Sequence, residues 1–193
     1  MPRDDAPLSQ RERWALCDLL TELGPDVPTL CEGWRSADLA AHLGARDHRP
    51  DAGPGMAVKL PLLTEWSERV QRGYRDTLTW DVLVAKARSG PPPWLRPLDQ
   101  AINTVEYFVH HEDLRRAQPG WEPRELRPED ETELWKRAAR MKLLARKKAA
   151  RLESPGQPAV QLSPSGPVVR GPVGEVVLWL LGRRSEARVE VSG

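Results

Sequence analysis

Long apolar runs, cysteines and aromatic residues other than tryptophan are what this chain has least of. Its 193 residues include one Phe, two Tyr and two Cys. There is no stretch of 18 apolar residues, so nothing in it is expected to span a bilayer. Cys17 and Cys31 are too few for a disulfide framework and are expected to be reduced thiols in a cytoplasmic protein. The opening Met1-Pro2-Arg3-Asp4-Asp5 has none of the apolar character of a secretory signal. Net charge is scarce as well. With 29 basic and 28 acidic residues the formal charge is +1, which removes any global argument for nucleic acid or an anionic membrane as partner. Ile and Asn occur once each while 23 of the 29 basic residues are Arg. That bias reflects GC-rich codon usage and says nothing of function.

What is abundant is helix punctuation and tryptophan. The 8 Trp are expected to supply much of the core. Ser9-Gln10-Arg11-Glu12 has the form of a capping box, with Leu16, Leu19, Leu20 and Leu23 following at helical spacing until Gly24-Pro25. Ser36 is placed to cap a second helix that runs to Arg49 before Pro50. On it Leu39, His42, Leu43 and Arg46 share a stripe. A Gly/Pro-rich loop, 51–61, precedes a third helix over 62–77 with Leu63, Trp66, Val70 and Tyr74 in register. A short helical piece covers 80–88. After Ser89-Gly90-Pro91-Pro92-Pro93 the periodicity predicts a helix over 98–117 whose core stripe is Ile102, Val105 and Val109. A last long helix is expected over 128–152, its basic end suiting the negative pole of the helix dipole. Beyond it, 159–162, 168–170 and 187–191 read as short strands and 173–181 as a compact apolar helix. The fold class expected is therefore mainly α: an antiparallel helical bundle over 1–152 and a small α/β appendage over 153–193.

The most informative segment is Glu106-Tyr107-Phe108-Val109-His110-His111-Glu112-Asp113. A carboxylate and an imidazole four residues apart on a helix share one face, with Cβ atoms about 5–6 Å apart. Zinc bonds to imidazole nitrogen and carboxylate oxygen are about 2.0–2.2 Å long, so one ion can bridge Glu106 and His110. His42 on the second helix is the candidate third ligand. His111 points about 100° away from His110 and aligns with Tyr107 and Leu114, so it is expected to stay out of the site. His48 is expected to face elsewhere. Asp113 is expected to accept a hydrogen bond from a ligand imidazole. Cys31 is read chiefly as an incidental cysteine, and as a thiol partner of the site otherwise. The basic run 137–151 is read as a solvated face. Arg115-Arg116 leave two readings open, an anion site or dipole partners.

Leu30-Cys31-Glu32-Gly33-Trp34 followed by Asp38-Leu39-Ala40-Ala41-His42-Leu43 resembles the second-helix signature of the mycothiol-dependent maleylpyruvate isomerase family, within the DinB-like metal-binding bundle superfamily. Glu106-Tyr107-Phe108-Val109-His110 running into Asp113-Leu114-Arg115-Arg116-Ala117 resembles its second motif, Glu-x3-His. Gly182-Arg183 after an apolar helix is similar to its C-terminal appendage. The likeness covers nearly the whole chain and is closest to a small metal-binding branch. It implies a DinB-like four-helix bundle in which His42, Glu106 and His110 hold a divalent ion, zinc, with the thiol cofactor mycothiol and a small electrophilic substrate as partners. A homodimer stays open as an alternative. Arg46 is then expected to bind the cofactor, and loop 51–61 to wall the substrate pocket. Two departures stand out: Arg35 occupies the expected Ser/Thr cap position, and the C-terminal section is short for a full isomerase domain. The alternative to a thiol-dependent transferase or isomerase is a non-catalytic module with a structural metal.

Overall fold

The computed structural model describes residues 3–52, 61–140 and 151–193. The chain is mainly helical with a small four-stranded sheet, and it divides into two compact units, 1–121 and 122–193. No helix among the described residues is long and apolar enough to cross a membrane.

The first unit holds α1 (Leu8–Leu23), α2 (Ser36–His48), α3 (Pro61–Thr77), α4 (Trp80–Ser89) and α5 (Asp99–Arg116). Helix α1 packs on α4 and α5, and α2 packs on α3 and α4. Their shared core joins Leu16, Cys17 and Leu20 to Leu39, Ala40 and Leu43, and closes on Leu83, Ala87, Tyr107 and Leu114. The core is aliphatic around one tyrosine and is not built of tryptophan. Trp66 and Trp94 are 41% and 67% exposed, and only Trp135 and Trp179, both in the second unit, are buried.

Two expected caps are replaced by other contacts. The Ser9 hydroxyl donates to Asp99 (3.0 Å), and Glu12 faces His111 Nδ1 at 2.8 Å, so neither serves the α1 terminus. Tertiary partners bind these groups in a buried setting where an open polar atom is costly. At α2 the Asp38 carboxylate accepts from Arg35 N–H (2.9 Å), while the Ser36 hydroxyl donates to Gly24 O. The cap therefore comes from the third helical residue, and Arg35 needs no side-chain oxygen.

The core stripe of α5 matches the expected one only in part: Val109 is buried and Val105 half-buried. Ile102 is 50% exposed, whereas Asn103, Tyr107 and Leu114 are buried. Asn103 is the reason: its amide donates to Asp47 Oδ1 (3.1 Å) and Asp99 Oδ1 (2.8 Å), so a polar residue takes an inward position that hydropathy assigns to Ile102. Asp47 further accepts from Tyr107 OH (2.7 Å) and lies 3.8 Å from Arg13 Nε. The Arg13 guanidinium also pairs with Asp99 and lies 4.5 Å from the Tyr107 ring centroid. Gly90, at φ +67°, backs this cation; a Cβ there would stand 2.7 Å from Arg13 Nη1.

The second unit contains α6 (Pro128–Arg140), α7 (Val173–Leu180) and a sheet of order β2-β1-β3-β4. Strand β1 (Arg151–Glu153) pairs antiparallel with β2 (Val160–Gln161) and parallel with β3 (Val168–Arg170), and β3 pairs antiparallel with β4 (Glu190–Ser192). The register lines up Val160, Leu152 and Val169 in one buried row, while Arg151, Glu153 and Arg170 carry ion pairs beside it. The helix expected over 128–152 is thus described to Arg140, and Arg151-Leu152 are strand. Its basic run 146–148 lies outside the described residues. The units place α6 with the C-terminal segment, where the sequence suggests grouping it with the helices before it.

Candidate metal centre

Helices α2 and α5 bring His42, Glu106 and His110 together: one ligand atom from each lies within 4.8 Å of the others. Both imidazoles turn Nε2 toward the same oxygen, Glu106 Oε1, at 3.2 Å for His42 and 3.3 Å for His110. The far side of each ring is anchored. His110 Nδ1 meets Asp113 Oδ2 at 3.0 Å, the contact expected of that carboxylate. His42 Nδ1 meets Gln71 Oε1 of α3 at 3.3 Å, and Gln71 Nε2 reaches Asp38 O at 3.5 Å. The carbonyl at Asp38 can only accept, which turns Gln71 Oε1 toward His42 and puts the proton of a neutral His42 on Nδ1. Its Nε2 lone pair then faces a carboxylate oxygen. Two electron-rich atoms facing each other at this distance are what a cation between them would reconcile.

Trp34 closes one flank, its ring centroid 5.1 Å from that of His42 and 6.5 Å from that of His110. Arg46, one turn beyond His42, donates to Asn103 Oδ1 (3.3 Å) and Ile102 O (3.2 Å), with its Nε 3.7 Å from Glu106 Oε1. It is therefore engaged at the edge of the cluster and links it to the Asn103–Asp47 network. Of the loop proposed as a pocket wall, 53–60 lie outside the described residues.

The charges follow from these contacts. Burial pulls the His42 imidazole down, and neighbouring His110 and Arg46 add to that against the pull of Glu106, so His42 is neutral. For His110 burial also works downward, but the partners Asp113, Cys31 and Glu106 outweigh it and hold the imidazole well above its ordinary value. Burial favours the neutral form of Glu106, yet the protonated His110 and the nearby Arg46 keep it ionised well below the usual carboxylate range.

The remaining histidines lie elsewhere. His111 pairs with Glu12, and His48 Nε2 faces Lys86 O (3.1 Å) and Ser89 Oγ (3.0 Å). Arg115 and Arg116 both grip the buried Glu112, at 2.8 and 2.7 Å. That pairing accounts for them without an anion.

Three participants were not chosen from the sequence. Gln71 carries no motif, since an orienting amide on a third helix leaves no trace in spacing. Trp34 lies in the quoted signature, but nothing there says where its ring points. Cys31, read chiefly as incidental, has Sγ 3.2 Å from Asp113 Oδ2 and 3.8 Å from His110 Nδ1. Burial pushes the other thiol, Cys17, up to about 12. A thiol reagent applied to the folded protein is expected to label Cys31 and spare Cys17 until the chain is unfolded; equal labelling rates would contradict this placement.

Comparison with protein-family models, curated proteins and solved structures finds no match. Donors of a tetrahedral ion with bonds of about 2.0–2.1 Å stand roughly 3.3 Å apart. The His42–Glu106 and His110–Glu106 separations of 3.2 and 3.3 Å agree with that spacing. Two imidazole nitrogens and a carboxylate, with a carboxylate and an amide behind the rings, suit zinc better than a hard cation that prefers oxygen.

Proposed function

We propose that this chain is a DinB-like, zinc-binding cytoplasmic protein that uses His42, Glu106 and His110 to support a mycothiol-dependent transferase or isomerase reaction on a small electrophile. The observation that carries the reading is the pair of Nε2 atoms aimed at one carboxylate oxygen while both Nδ1 atoms are held from behind. The sequence likeness to the maleylpyruvate isomerase family supplies the thiol and the reaction class. Zinc, when bound, holds a thiol as the nucleophilic thiolate at neutral pH.

The chain's own groups have defined tasks. Asp113 and Gln71 fix the two rings, so the ligand atoms need little reorganisation on binding. Three protein donors are one short of the four usual for zinc, which is the pattern of catalytic rather than structural sites. Trp34 offers an apolar wall beside the rings. Arg46 at the edge is the group for a carboxylate or for the polar atoms of the cofactor, in exchange for its contacts to Asn103 and Ile102.

Proton release follows from the state of His110. In the metal-free protein its imidazole is doubly protonated at neutral pH, and the metal must displace the Nε2 proton. Zinc affinity should fall about tenfold per pH unit below the raised value, and calorimetry in two buffers of different ionisation enthalpy should detect about one proton released at neutral pH. An affinity independent of pH would contradict that state. The linkage to folding has the opposite sense. The raised imidazole stabilises the metal-free fold fully below the ordinary value of 6.5, and this contribution is lost as pH rises through the higher folded value.

The reaction class is tested by titrating mycothiol into the zinc-loaded protein. Saturable binding that is abolished in Glu106→Ala is expected. A fully loaded protein that takes no thiol would leave the non-catalytic metal module as the better reading.

A further inference from the structure

His110 has two faces, and only one of them belongs to the centre described above. Its Nδ1 face looks into a second group of donors: Cys31 Sγ, His110 Nδ1 and Asp113 Oδ2 lie within 4.8 Å of one another. The separations are 3.0 Å for Nδ1 to Oδ2, 3.2 Å for Sγ to Oδ2 and 3.8 Å for Sγ to Nδ1. Around a tetrahedral ion with a metal–sulfur bond of about 2.3 Å and metal–nitrogen and metal–oxygen bonds of about 2.0–2.2 Å, such donors stand roughly 3.3–3.6 Å apart.

Cys31 is held at this place by the backbone. Leu30 N–H donates to Asp113 O across to α5 (3.0 Å), Trp34 N–H donates to Cys31 O (2.9 Å), and Cys31 N–H donates to Thr29 Oγ1 (3.2 Å). The loop before α2 is thereby pinned to the same turn of α5 that carries His110 and Asp113. Both of those side chains are buried, and Cys31 is half-buried, so the thiol faces the group without being sealed from solvent.

We propose that Cys31, His110 Nδ1 and Asp113 form a second metal site, for a thiolate-seeking cation such as zinc or cadmium, and that His110 bridges it to the first. Binding displaces the Cys31 S–H proton and the His110 Nδ1 proton to solvent. With the Nε2 proton displaced at the first site, His110 becomes an imidazolate joining the two cations, and its charge with those of the Cys31 thiolate, Asp113 and Glu106 makes four negative charges against two divalent ions. A thiolate in the donor set selects softer ions than the nitrogen and oxygen donors of the first set. With the second site empty, Asp113 keeps its role as the acceptor for Nδ1–H.

Cobalt(II) and cadmium titrations separate the two sites, because only thiolate ligation gives an intense sulfur-to-metal charge-transfer band in the near ultraviolet. Two ions per chain are expected, one equivalent binding with the band and the other without it, and cadmium, the softer ion, should bring the band in with its first equivalent. Cys31→Ser should lose the band and one equivalent while keeping the other, and His42→Ala should weaken the first site while the band persists. Circular dichroism of each variant guards against misfolding, and Cys17→Ser should leave the band unchanged. Absence of the band in the wild-type protein at saturation, or its survival in Cys31→Ser, overturns the second site. A band that accompanies a single equivalent, lost in Cys31→Ser and untouched by His42→Ala, would instead uphold the Cys31 site and remove the first ligand set.

Discussion

Alanine at His42 or at His110 is expected to reduce zinc retention at least a hundredfold, while His111→Ala leaves it near the wild-type level. Loss of a partner lying behind a ligand costs about 10–100-fold in affinity, and loss of a ligand costs at least as much. Both histidines present Nε2 to Glu106, whereas His111 turns to Glu12 at 2.8 Å. His111→Ala should register elsewhere, removing one buried partner of Glu12 and lowering stability by about 1–3 kcal/mol. Metal analysis after dialysis against a weak chelator, alongside thermal melts, separates the two effects. Equal zinc content in all three variants would mean that the ligands are wrongly assigned.

The second large effect is one of stability and lies behind the centre. Arg13 is 4% exposed and sits between Asp47 and Asp99, so Arg13→Met leaves two carboxylates near each other without their cation. Removing one partner of a buried ion pair costs about 3–5 kcal/mol, equivalent to a fall in melting temperature of roughly 6–20 °C. The loss should shrink at acid pH. Burial already holds Asp47 above its ordinary value of 3.8, against the pull of Tyr107 and Arg13, and removing the cation raises it further. A carboxyl with a raised folded pKa costs stability once ionised, and that cost is relieved as pH falls through the folded value. Differential melts at neutral and mildly acidic pH check both the size and the sign. A change below about 1 kcal/mol would show that Arg13 is not the counter-charge of this network.

Much of the helical frame was legible because it is carried by local chemistry. The Pro/Gly breaks place the ends of α1, α2, α4 and α5 within a residue or two, since these residues act on their own backbone. Glu106 and His110 were legible as a same-face pair for the same reason: four residues on a helix bring two side chains together whatever else the chain does. His42 required more, a resemblance between motifs, because no local rule says which two helices will face each other.

What failed was decided by tertiary partners. Ser9 and Glu12 spell a capping box, but Asp99 and His111 bind them instead. Ile102 fits the apolar period of α5, yet Asn103 turns inward because Asp47 and Asp99 await its amide. Strand β1 was hidden inside the basic continuation of a helical pattern, where Arg151 and Glu153 reveal their alternation only once β3 lies beside them. Gln71 and Cys31 reach the site from a neighbouring helix and a loop, which spacing within a segment cannot report.

The central claim is that His42, Glu106 and His110 hold one zinc ion. The most direct measurement is an anomalous difference map recorded at the zinc absorption edge from crystals of protein loaded with one equivalent of zinc. A single strong peak within bonding distance of His42 Nε2, His110 Nε2 and a Glu106 carboxylate oxygen is the result predicted. A loaded crystal with its peak away from these three side chains would contradict it.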